Sequence, residues 1–99
     1  MNVLELKKLI NYSAGGITTK VISKDEKSNV TLFSMAAGTD ISEHTSGRDA
    51  YVYVIEGEGT FVLDGKSISM KSGVFFSMPK NSPHELKAEK NTAFLLVLY

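Results

Sequence analysis

Cysteine is absent from these 99 residues, so neither a disulfide nor a thiolate metal site is open to the chain. Charge of one sign is not in excess either: lysine plus arginine number 11, and aspartate plus glutamate number 11. That balance, without a basic run, points to no nucleic-acid partner and no membrane surface. Long apolar stretches are missing too. The longest, Ala93 to Tyr99, is too short to span a bilayer, and Met1 to Lys8 lacks the continuous apolar core of a secretory signal. A cytoplasmic location is the expectation for a chain with no such address. Helical periodicity is nearly absent. Only Asn2 to Ile10, with Val3, Leu6, Leu9 and Ile10 at helical spacing, predicts a short amphipathic helical turn. With no helical pattern between the strands, a doubly wound sheet is excluded. Histidine occurs twice, as His44 and His84, and these two carry the only distinctive chemistry in the chain.

What is present is ordinary for a soluble globular protein: 42% apolar and 22% charged residues. The length suits one domain, residues 1–99, with a core barrel over 17–99 and a short N-terminal segment over 1–16. Strands are predicted at 17–23, 29–36, 41–45, 50–55, 59–64, 66–70, 74–78, 84–88 and 92–99, separated by Gly, Asp, Asn or Pro. Ile17 to Ser23 alternates as a half-buried strand does. Ala50 to Ile55 is apolar or aromatic on both of its alternating faces, which predicts cover on both. Asp64-Gly65 is the strongest hairpin signal, because that pair suits a two-residue turn with positive φ. Short strands at this spacing predict an all-β sandwich or barrel.

Two spacings are specific. The first runs Gly38, five residues, His44, one residue, Ser46, three residues, Ala50, six residues, Gly57. The second runs Gly73, five residues, Pro79, one residue, Asn81, two residues, His84, three residues, Ala88. Together they resemble the two motifs of the cupin superfamily, small single-domain type. Ser46 and Ala50 stand where that family usually has His and Glu. Asn81 stands where it usually has Gly, and Ala88 where Asn is frequent. The resemblance implies an antiparallel jelly-roll barrel with His44 and His84 in its mouth, and a homodimer. The residues agree: Gly57 and Gly59 flank Glu58 at a tight connection where a side chain would be crowded, and Pro79 and Pro83 stiffen the loop that delivers His84. The apolar strand Thr92 to Tyr99 and the apolar stripe of the N-terminal segment also favour a homodimer, since a barrel this small gives them little to bury against.

Family members with a full ligand set hold a divalent metal through three histidines and a carboxylate. Here the resemblance implies a degenerate site: His44 and His84 as the metal ligands, holding Zn, Mn, Fe or Ni only weakly, in a ligand pocket of His44, Ser46, Ala50, Val52 and His84. Ser46 is a poor ligand and Ala50 none. Asp49, in the break before the strand, is the first candidate to complete the site; alternation points Glu43 away from His44. A lone Arg48 in the same break is a candidate clamp for an anion, and otherwise a surface residue. The plainer alternative is a pair of hydrogen-bonded histidines that bind no metal. A further one is metal-free acid–base work, suited to a pKa of about 6.5. The expected function is a small-molecule binding or sensing module. The alternative is a metal-dependent isomerase, lyase or dioxygenase acting on a small polar or sugar-like substrate.

Overall fold

The computed structural model describes residues 3–99. Met1 and Asn2, and with them the start of the predicted helical turn, lie outside the described residues. What remains of that turn is a 3₁₀ turn at Leu6–Lys8. Glu5 at its N-cap makes no side-chain cap, and its first turn carries no acidic residue. A segment this short cannot offset the cost of helix nucleation on its own.

Nine strands follow: β1 (Ile17–Lys24), β2 (Asn29–Met35), β3 (Asp40–His44), β4 (Ala50–Glu56), β5 (Gly59–Leu63), β6 (Lys66–Met70), β7 (Phe75–Met78), β8 (His84–Ala88) and β9 (Thr92–Leu98). They form a five-stranded sheet in the order β1-β2-β9-β4-β7 and a four-stranded sheet in the order β3-β8-β5-β6. Every pairing is antiparallel. The fold is an all-β jelly-roll barrel, and the core lies between the two sheets. Alternate residues of the strands supply it: Ala50, Val52 and Val54 from β4, Phe61 from β5, Leu86 and Ala88 from β8, and Phe94 from β9. Each large one stabilises the fold by about 1.5–3 kcal/mol through burial alone.

The connections follow the local chemistry. Asp64 at φ 51° and Gly65 at φ 77° close the β5–β6 hairpin with positive φ at both central residues, the type I′ turn whose twist matches that of the strands. Gly57 sits at φ 124°, and a Cβ there would lie 2.4 Å from Thr92 Oγ1 and 2.7 Å from the Asn91 carbonyl. At Gly59 a Cβ would lie 2.6 Å from the Lys87 carbonyl. The crowding expected around Glu58 is thus real. It comes from β8 and β9 rather than from the connection itself. Thr92, fully buried, accepts from the Glu58 N–H at 3.1 Å and holds the corner in place.

One expectation is overturned in part. The second face of β4 is covered only at its end: Ile55 is 7% exposed, whereas Tyr51 is 38% and Tyr53 42% exposed. The N-terminal segment crosses the outer face of the large sheet nearer β2. It is fastened there by Asn11 N–H to Ser34 Oγ (3.1 Å) and by Tyr12 OH to Glu56 Oε2 (3.1 Å). Leu32 and Ser34 are buried accordingly. Burial and the nearby Glu56 carboxylate both push the Tyr12 pKa up. The aromatic side chains of β4 lie outside this cover.

Candidate functional site

β3 and β8 are neighbours in the small sheet, and their register sets His44 directly opposite His84. The two rings lie 4.0 Å apart, centroid to centroid, at 59°. Between Ile41 and His44 the register slips. Plain alternation would send Ile41 and His44 to opposite faces, since they are three residues apart. The bulge returns both to the interior side, a known way of re-aiming a side chain. His84 follows Pro83 and opens β8; it is only 5% exposed, whereas His44 is exposed at the rim.

Each ring is oriented in the same way. His44 Nδ1 lies 2.8 Å from the Ser42 carbonyl, and His84 Nδ1 lies 2.9 Å from the Ser82 carbonyl. A carbonyl oxygen only accepts, so Nδ1 carries the proton in both and donates it. In the neutral ring Nε2 then keeps a lone pair. Burial, and less strongly the neighbouring His44, hold the His84 pKa below the ordinary histidine value against the opposing pull of the Ser82 carbonyl. His84 is therefore neutral at physiological pH. Phe61 lies parallel to its ring at 5.7 Å and is itself braced edge-on by Phe76 at 4.8 Å.

The histidines form one wall of a cavity of about 40 Å³ between the sheets, completed by Phe33, Ile41, Phe61, Met78, Leu86, Phe94 and Leu96. Phe33 and Phe94 are stacked at 4.9 Å across the β2–β9 pair. A wider hollow of about 280 Å³ lies on the solvent side of β3, β5 and β8, lined by Asp40, Ser42, Glu43, Thr60, Glu85 and Lys87 among others. Its charged groups are solvated surface chains, whereas the smaller cavity has convergent polar atoms in an apolar setting, the usual character of a binding site.

Of the other residues singled out in the sequence, Ser46, Ala50 and Val52 do not line this cavity. Ser46 lies beyond the end of β3, where strand alternation no longer applies; its Oγ accepts from the Arg48 N–H at 3.3 Å and its carbonyl from the Asn81 N–H at 2.7 Å. Ala50 and Val52 are fully buried in the core. Asp49 Oδ1 accepts from the Lys80 N–H at 2.9 Å, which ties the β3–β4 connection to the β7–β8 loop. The Arg48 guanidinium donates to the Lys27 carbonyl. Phe33, Ile41, Met78, Leu86 and Leu96 were not foreseen as cavity residues. The inward row of each strand would have offered them, but nothing in the sequence says which of those rows meet.

A metal fits these residues only in part. A metal-binding histidine typically donates its second ring nitrogen to a carbonyl, as both rings do here. The remaining donors are missing: no group of three or more His, Cys, Asp or Glu among the described residues could hold a metal. The positions of the third and fourth ligands are the turn residue Ser46 and the core residue Ala50. Two imidazoles in an apolar cavity do not make a metal centre.

Two antiparallel sheets rolled into a barrel, with inward histidines opening into its interior, define a cupin-type barrel. A family model described as a cupin domain matches residues 31–99, and the chain belongs to the cupin superfamily. It is similar to a conserved protein of unknown function from Streptococcus pyogenes, at 26% identity and a TM-score of 0.88, over 98% of this chain and 85% of that one. A cupin 2 conserved barrel domain protein from Leptotrichia buccalis is 32% identical, with a TM-score of 0.88 over 96% of this chain and 46% of that one. The G106A mutant of salicylate 1,2-dioxygenase from Pseudoaminobacter salicylatoxidans is 20% identical, with a TM-score of 0.77 over 87% of this chain and 27% of that one. At that identity the likeness is one of fold. No functionally curated protein matches the chain.

Proposed function

We propose that this cupin is a small-molecule binding or sensing module whose ligand sits against His44 and His84, and that it works without a tightly held metal. One observation carries the proposal: two oriented imidazoles face an apolar cavity with no third ligand beside them among the described residues. The whole chain, residues 1–99, acts as one domain, with 17–99 as the barrel and 1–16 as the N-terminal segment, tied to the large sheet at Asn11 and Tyr12. It works in the cytoplasm as a homodimer; no helix among the described residues is long and apolar enough to cross a membrane. The dimer is supported by an uncovered aromatic group at Tyr51, Tyr53, Phe75 and Tyr99. The other reading, a metal-dependent isomerase, lyase or dioxygenase, draws on the ligand-like orientation of both rings and on the fold shared with a dioxygenase. Its need for more donors counts against it. The test is methyl NMR of Ile41, Met78, Leu86 and Leu96 while small aromatic and aliphatic fragments are titrated in. Saturable shifts confined to these four groups are expected; shifts scattered over the surface, or none, would contradict the proposal.

A further inference from the structure

The two polar atoms left in the cavity are of one kind. Nδ1 of each ring is committed to a backbone carbonyl, so in its neutral form each ring offers only an acceptor, Nε2. No lysine, arginine, aspartate or glutamate lines the cavity. Among the described residues, no buried side-chain nitrogen or oxygen lacks a hydrogen-bond partner. Nε2 of His84 has no partner among them, so this atom is not fully sealed in, although its residue is only 5% exposed. The rest of the wall is aromatic and aliphatic.

A site with acceptors and no donors discriminates. An anion would find no lysine or arginine and, beside neutral rings, no donor, and would lose its hydration for nothing. A sugar would bury many hydroxyls against two partners, leaving most of them unpaired. An apolar molecule would strip water from Nε2 without replacing it. A single O–H or N–H on an apolar body satisfies Nε2 and fills the remaining space with carbon. The size agrees: a cavity needs about 10–15 Å³ to take one water, so one of about 40 Å³ takes the polar end of a small molecule, and the body rests at the mouth beside the exposed His44.

We infer that the cavity takes a small uncharged molecule by a single hydrogen-bond donor, an O–H or N–H on a compact apolar body, received by Nε2 of His84 with His44 at the rim. Phenol is the simplest member of that class. The inference rests on the small-molecule binding proposed above and adds the chemical class of the ligand.

The experiment uses the whole protein labelled with ¹⁵N, observed through the ring nitrogens above the ordinary histidine pKa of about 6.5. Both rings are expected as the Nδ1–H tautomer. Phenol, anisole, benzoate and Zn²⁺ are then titrated separately. Phenol is expected to move the His84 Nε2 resonance saturably, with an affinity at least about tenfold above anisole, which keeps the ring but loses the donor. His84→Phe is expected to erase that preference, and an unchanged preference in this variant would overturn the assignment to Nε2. An Nε2–H tautomer at His84, equal binding of anisole, preferred binding of benzoate, or stoichiometric Zn²⁺ would each overturn the inference. Anisole or benzoate shifting the Ile41 and Leu86 methyl groups would still leave a small-molecule cavity in place. If all four probes left both the ring and the methyl resonances unmoved, the inference and the binding role would fall together.

Discussion

At His84, near-complete burial and, less strongly, the neighbouring His44 keep the imidazole uncharged against the pull of the Ser82 carbonyl at Nδ1. Its pKa is lowered on folding, so the unfolded chain takes up the proton first as pH falls. The stability contributed by neutral His84 is therefore present above the unfolded value of about 6.5, and it is lost as pH falls from there through the lowered folded value. The melting temperature should drop through that window. His84→Asn, which cannot titrate and still offers a donor to the Ser82 carbonyl, should flatten that part of the profile; an identical slope in the variant would mean the histidine is not the source. Asp25, whose carboxylate is held below its ordinary value by the N–H groups of Lys27 and Ser28, acts only at lower pH. Gly57 makes a different kind of demand. Its φ of 124° and the close approach of Thr92 and Asn91 leave no room for a methyl group, so Gly57→Ala should cost about 2–4 kcal/mol in urea unfolding. A loss within about 0.5 kcal/mol, the range of an ordinary surface change, would contradict this geometry. Asn81 shows how a motif position can change its residue and keep its conformation. It stands at φ 66° where the family usually has glycine, and asparagine is among the few residues that tolerate that region.

At the scale of strands and turns, the Asp64-Gly65 hairpin is the cleanest unit. Gly65→Val places a β-branched residue at positive φ, though in open space, and should destabilise the fold by about 1–3 kcal/mol through backbone strain alone. An unchanged melting curve would place the turn elsewhere. The strands were legible because each alternates or runs apolar between turn residues, and every predicted strand exists to within a residue or two. Bulges were not legible. The slip between Ile41 and His44 leaves no mark in the residue types, yet it aims the first histidine. Ser46 was not legible for a related reason: the motif spacing places it beside His44, but β3 ends at His44 and the chain has already turned. The helical turn read near the N-terminus is present among the described residues only as a 3₁₀ turn at Leu6–Lys8, since so short a segment does not offset the cost of α-helix nucleation.

The whole molecule leaves one surface unexplained by its own fold. Tyr51 stacks between Phe75 at 5.4 Å and Tyr99 at 4.8 Å, and Tyr53 lies along the same face of β4. Their exposures of 38%, 59%, 47% and 42% amount to roughly 300–450 Å² of aromatic surface. The neighbouring Tyr51 pushes the Tyr99 pKa up to about 12, so the hydroxyl stays uncharged well beyond neutral pH. From the sequence, both faces of this strand were expected to be covered. A second copy would cover it instead, with the modest area of a weak rather than an obligate dimer. Light scattering at high micromolar concentration should give a dimer mass, and Tyr51→Asp with Phe75→Asp should return the monomer while leaving the melting curve nearly unchanged. A monomer in the parent protein would count against the dimer. An all-β barrel could be read from the strand spacing, and the meeting of two histidines from the resemblance to cupin motifs; how the cavity closes around them could not, because it depends on which inward rows face one another across two sheets. The central claim is that this cupin has kept two oriented imidazoles and lost the rest of a metal centre. It is tested most directly by the divalent-metal content of protein purified without a histidine tag, then loaded with zinc, manganese, iron or nickel and dialysed. Two imidazoles leave most of the coordination shell to water, so well below one equivalent should remain. A full equivalent surviving dialysis would mean that another group completes the site, and would bring the metal-dependent enzyme to the front.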